Sequence, residues 1–310
     1  GTEDAIAAAA LSQTADIYIT TGANFLMDAG TSVRSASGNI GIDTTGDFTV
    51  GSVDAVAGYV HVAATGAILD GGESLTDFIA DRLQLEAGTG AGLLGSTNYD
   101  PLEIDATTIS ARITNGPLAL SELNAVQVGL TEGTVNKLDV NGLGSIALDA
   151  TDARYGFESQ GGGSVTLVAG GSITALAAPA ATPTVAAVRL AAAGDLLLQA
   201  NASGALVVLE GDVTLTEGSL TLRGTNGVSL AADVTVETGG AGTVDVFSST
   251  GGLAMAGGST IISDTGDVVV ETSGDVLVAG IESSADVALT STSGSILDNE
   301  ATRVNIDAST

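Results

Sequence analysis

Catalysis needs ionisable or nucleophilic groups held together with tuned pKa values, and this chain supplies few of them. His61 is the only histidine. In Tyr59-Val60-His61-Val62 it alternates with valines, a pattern that predicts a strand and a side chain facing solvent. With one histidine and no cysteine, transition-metal sites of the usual nitrogen and sulfur type are excluded. No serine sits in a Gly-x-Ser-x-Gly elbow, and no Gly-Lys-Ser or Gly-Lys-Thr phosphate loop occurs.

Carboxylates are the remaining chemistry. The richest polar and aromatic cluster is Asp149, Asp152, Arg154, Tyr155, Phe157 and Glu158, with Asp264 and Asp267 as a second acidic pair. Paired acids beside an Arg and an aromatic platform are what a polysaccharide lyase or glycoside hydrolase assembles, although a turn with solvated charges accounts for the same residues. Calcium is a further option. Against 37 acidic residues stand 8 basic ones, a net charge of −29. Stacking the turn residues Asp47, Asp195, Asp212, Asp267 and Asp275 near one corner would crowd like charges, which a hard cation or water must relieve. The glycine-rich nonapeptide of calcium-binding rolls and the EF-hand loop are both absent, so a solvated acidic surface is the simpler account. No catalytic, cofactor-binding or metal-ligating residue is therefore assigned, and calcium is the one ion left open.

The elements that would carry any such site follow a short repeat: Gly, a small polar residue, then apolar, any, apolar. Examples are Gly38-Asn39-Ile40-Gly41-Ile42, Gly46-Asp47-Phe48-Thr49-Val50, Gly218-Ser219-Leu220-Thr221-Leu222 and Gly266-Asp267-Val268-Val269-Val270. Period-two alternation means strand. Glycine, read as supplying positive φ, and the polar residue, read as satisfying the turn, make each strand start at a corner. Only 3% of residues are aromatic, which suits the narrow interior of a solenoid better than a sandwich core. The expected fold is all-β, a right-handed parallel β-helix (β-solenoid), an elongated rod of stacked coils. At roughly 20 residues per coil, that makes about 15 coils.

Residues 1–310 read as one continuous solenoid segment with loop inserts near 86–101 and 175–185, the latter carrying Pro179 and Pro183. Glu3 to Leu11, poor in glycine and holding four consecutive alanines, predicts a short helix. Gly66-Ala67-Ile68-Leu69-Asp70 returns as Gly294-Ser295-Ile296-Leu297-Asp298, so a second large repeat unit is expected to begin near 294. Neither end shows a polar capping element, and the chain reads as an internal segment of a longer protein.

The Gly-Asp-Val-x-Val and Gly-Ser-Ile-Leu-Asp runs, with Asp81-Arg82-Leu83-Gln84-Leu85-Glu86-Ala87-Gly88-Thr89-Gly90, resemble the repeat regions of large filamentous-haemagglutinin-like bacterial surface adhesins. The resemblance implies a right-handed parallel β-helix, export across the outer membrane and an adhesive filament outside the cell.

The expected role is a non-catalytic structural stalk or filament segment of an exported bacterial cell-surface adhesin, extracellular. Its expected partners are copies of itself or neighbouring surface proteins, with glycans or another cell surface as further options. The alternatives are a carbohydrate-active β-helix enzyme and a calcium-stiffened surface-layer or sheath component. Nucleic acid is excluded as a partner, because Lys137 and seven arginines cannot neutralise a phosphate backbone. No transmembrane helix is expected, since no run of 18 uncharged apolar residues occurs. A hydroxyl face for ice, built on Thr214, Thr216 and Thr221, fails on irregular spacing, and nine Phe and Tyr cannot form the two girdles of an outer-membrane barrel.

Overall fold

The computed structural model describes residues 3–6, 10–12, 15–72, 76–95, 99–138, 145–147, 153–179, 185–300 and 304–308. Every regular element among them is a strand. Apart from two short antiparallel pairs, Leu130–Thr131 with Arg154–Tyr155 and Asn136–Leu138 with Ser145–Ala147, the strands stack in parallel as a β-solenoid of about 11 turns, and the chain divides into two compact units, residues 1–123 with 130–155 and residues 124–129 with 156–310.

In the first unit one stack runs through Ile17–Thr21, Ile40–Thr44 and the later halves of Ser52–Ala64, Phe78–Ala87 and Leu102–Ile113. A second stack runs through Glu3–Ile6, Asn24–Met27, Phe48–Val50 and Ile68–Asp70, and is continued by bridges at Ala91 and Leu118. A third joins Ala10–Ser12 and Ser32–Ser35 to the earlier halves of the long strands. Glu3–Ile6 and Ala10–Ser12 are thus strands where a helix was expected, and residues 7–9 between them lie outside the described residues. Each strand finds a parallel partner one coil on, which outweighs the helical propensity of Ala5 and Ala10.

The second unit repeats the plan. Val165, Leu196, Leu220, Val244, Val268 and Val287 stand in one register, one per coil. Their spacings are 31, 24, 24, 24 and 19 residues, whereas Ile17, Ile40, Val60, Leu83 and Ile109 of the first unit are 23, 20, 23 and 26 apart. Three strands with their corners and side excursions use more chain than the expected 20 residues. Hence there are fewer turns than the expected fifteen.

Inward Val, Ile and Leu form the core, as period-two alternation requires. Phenylalanine contributes more than the low aromatic content suggests: Phe25, Phe48, Phe78 and Phe157 are all buried. Phe25 and Phe48 stack at 5.1 Å between centroids, and Phe78 meets Phe48 edge-on at 6.5 Å. A narrow interior accommodates rings when they pile one per coil.

The corners explain the Gly-polar motif. The polar side chain satisfies the backbone of the next coil rather than its own turn. Asp16 Oδ1 accepts the Asn39 N–H at 2.7 Å, and Asn39 Oδ1 accepts that of Tyr59 at 2.8 Å. Asn24 Oδ1 takes Asp47 N–H at 3.0 Å, and Asp47 Oδ1 takes Ala67 N–H at 2.8 Å. In the second unit Ser164 serves Asp195, Asp195 serves Ser219, Asp212 serves Thr235, Asp267 serves Asp286 and Asp275 serves Ser295. The glycine makes room for this oxygen: a Cβ at Gly46 would lie 2.1 Å from Asn24 Oδ1, and one at Gly66 would lie 2.1 Å from Asp47 Oδ1. Positive φ is used at Gly218 but not at Gly46, Gly66, Gly266 or Gly274. A serine three residues before the glycine closes several corners, as Ser35, Ser248, Ser263 and Ser291 accept the N–H of Gly38, Gly251, Gly266 and Gly294.

Candidate functional site

The turn aspartates proposed as a calcium column are therefore engaged as backbone acceptors. Along one corner Asp195 stands between Ser164 and Ser219, so neutral hydroxyls separate its charge from other acids. Asp267 accepts the Asp286 N–H of the next coil at 3.1 Å. Asp149 and Asp152 lie outside the described residues. Of their expected neighbours, Arg154 binds Glu86 at 3.1 and 3.2 Å, Glu158 pairs with Arg189 at 3.4 Å, and Phe157 is core. Thr214 sits in register between Arg189 and Glu237, and Thr221 between Leu197 and Asp245, so no flat hydroxyl face forms there.

His61 is buried, not solvent-facing. Residues 130–136 return over the outer face of the first unit's sheet: Thr131 reaches Gln84 Oε1 at 3.2 Å and bonds to Ser110, while Asn39 Nδ2 donates to the Thr134 carbonyl at 2.8 Å. This cover explains why the outward residues His61, Gln84 and Ser110 are enclosed. His61 Nδ1 lies 3.9 Å from Asp43 and Nε2 3.7 Å from Glu86. Burial works against the Glu86 charge, yet the nearby His61 and the hydrogen-bonded Arg154 outweigh it and hold its carboxyl down to about 2. Asp43 accepts the Tyr18 hydroxyl at 2.5 Å; burial first, then this carboxylate, push that phenol up to about 12. Beside them opens a groove of about 710 Å³ lined by Asp43, Glu86, Arg112, Asn115 and several threonines. The depressed carboxyl favours the ionised form of Glu86.

A second cluster gathers at the edge of the first unit. The expected insert 86–101 is partly strand: Glu86 and Ala87 end Phe78–Ala87, and Ala91 bridges Ile68 and Leu118. The chain then leaves the sheet and returns through an antiparallel bridge of Leu93 with Asp100; residues 96–98 lie outside the described set. In the 175–185 insert, residues 176–179 carry no strand and 180–184, Pro183 included, lie outside the described set. Near the first excursion, oxygen atoms of Asp70, Asp77 and Glu103, one from each, lie within 4.8 Å of one another, the one such group among the described residues.

Asp77 occupies a coil-clamp position. Its Oδ2 accepts the Glu103 N–H at 2.9 Å, while its own N–H donates to the Glu103 carbonyl at 2.8 Å. Unlike the other clamps it is fully buried, and its Oδ1 has no hydrogen-bond partner, nor has Glu103 Oε2. Burial drives the Asp77 carboxyl up to about 9; the Glu103 N–H opposes the rise, and the charges of Asp70 and Glu103 add to it. Burial and the Asp70 charge also raise Glu103 and Asp100, and burial with the Glu103 charge raises Tyr99. Asp77 and Glu103 are one coil apart, 26 residues, and a register-based search would have paired them; composition alone does not.

Comparison with protein-family models, curated proteins and solved structures finds no match. The fold defines the class of protein, a parallel β-solenoid. No helix among the described residues is long and apolar enough to cross a membrane.

Proposed function

We propose that this chain is a non-catalytic structural segment of an exported bacterial surface filament or adhesin, working outside the cell with copies of itself, neighbouring surface proteins or glycans as partners. The observation that carries this reading is the joining of successive coils within each unit by backbone ladders and, at several corners, by Asp, Asn and Ser clamps, as in Asn24 to Asp47 to Ala67. Force along the stack meets a charge-assisted or neutral hydrogen bond at the corners in addition to the sheet. A net charge of −29 suits a surface exposed to water and discourages pairing between neighbouring edges.

The resemblance of the Gly-Asp-Val-x-Val runs to filamentous-haemagglutinin-like adhesins supports the same role. A carbohydrate enzyme draws less support, because Glu86, the most enclosed acid of the groove, is held ionised by Arg154 and His61. Antibodies to this chain should label intact producing cells, and external protease should remove the signal. Labelling confined to lysed cells, or steady cleavage of acidic or neutral glycans by the purified chain, would refute the proposal.

A further inference from the structure

The acidic cluster carries an inference of its own. Three carboxylates offer oxygen atoms within 4.8 Å of one another, a spacing that one ion with oxygen bonds of about 2.3–2.6 Å can bridge. Crowding alone would not make this a site. The independent observation is Asp77: fully buried, placed by its hydrogen bond to Glu103 N, and left with Oδ1 unpartnered. Buried carboxylate oxygens require a proton, a donor or a cation. No donor reaches Oδ1 or Glu103 Oε2. The donor set is oxygen only, which selects a hard cation, and the ligands come from a strand end, a coil corner and the next coil.

We propose that Asp70, Asp77 and Glu103 bind a divalent cation of the calcium class, which fastens two successive coils. This stands apart from the proposed surface role, since an ion could stiffen the coil whatever the protein does. The groups facing Asp77 are Asp70 and Glu103, with Asp100 next to Asp70 on the excursion; all are acids. A proton and the cation therefore compete for Asp77. In the ion-free protein its raised carboxyl contributes stability that is present below about pH 4 and lost as pH rises towards about 9. Calcium should cancel that loss.

The test is calorimetric titration of the full chain, freed of metal with chelator, using calcium chloride at pH 6 and pH 8, together with urea unfolding in calcium and in chelator. The expected result is one saturable site that binds more tightly at pH 8 than at pH 6, because metal and proton compete for the same carboxylates, and a higher urea midpoint in calcium at pH 8. Asp77→Asn, which keeps shape and one acceptor, should lose at least tenfold in affinity and flatten the chelator pH profile. Asp70→Asn, at a half-buried strand end, should lose affinity with the fold intact by circular dichroism. Absence of saturable heat with equal midpoints would overturn the proposal, and so would calcium binding left unchanged by both variants. Failure of surface labelling would touch the proposed function and leave this result standing.

Discussion

Asp47 and Gly66 occupy one another's space: Asp47 Oδ1 accepts the Ala67 N–H at 2.8 Å, and a Cβ on Gly66 would lie 2.1 Å from that same oxygen. Gly66→Ala should therefore displace the clamp and lower stability by about 1–3 kcal/mol, and Asp47→Ala should cost about 1 kcal/mol. The double variant should lose less than the sum of the two, because Asp47→Ala removes the 2.1 Å clash with Oδ1 while the 2.9 Å approaches to Asp47 N and Gly46 C remain. Urea unfolding of the four proteins measures this; strict additivity would mean the glycine serves some other need.

Val268 is fully buried in its ladder between Val244 and Val287, while Val269 beside it faces outward. Val268→Asp places an unpaired charge in the core and should cost several kcal/mol. Val269→Asp should change stability by less than about 1 kcal/mol. Thermal melting followed by circular dichroism compares them, and equal melting points would place the strand in the wrong register.

Glu86 gives an acid-side prediction. Its carboxyl is held down to about 2 in the folded chain against an ordinary value of 4.5, so its stabilisation is present above about pH 4.5 and lost as pH falls towards 2. Glu86→Gln should be less stable than the parent by about 2 kcal/mol at pH 7, and the two should converge near pH 2. Urea midpoints from pH 2 to 7 read the difference; a constant gap would show that charge is not what Glu86 contributes.

Much of the fold was legible because a solenoid writes its corners and inward faces locally. Gly46-Asp47-Phe48-Thr49-Val50 contains the clearance glycine, the clamp and two core residues in a row. What the local pattern hides is which residues meet one coil away. The clamp of Asp47 on Ala67 spans 20 residues, and the burial of His61 depends on a covering segment that begins some 70 residues later. Asp70, Asp77 and Glu103 escaped notice for the same reason: only the coil register brings Glu103 over Asp77. The serine three residues before a corner glycine, as in Ser263-Asp264-Thr265-Gly266, was readable in the sequence and marks the turns more sharply than glycine alone.

Single-molecule pulling on the full chain, held at its two ends, addresses most directly the claim that coils fastened one to the next form a force-resisting stack. The expected trace shows no extension until force is substantial, then release in steps of about 80 Å, the contour length of one coil of about 24 residues at 3.3–3.6 Å each, with Asp47→Ala lowering the force of the early steps. Smooth lengthening at low force, without coil-sized steps and unaffected by Asp47→Ala, would contradict it.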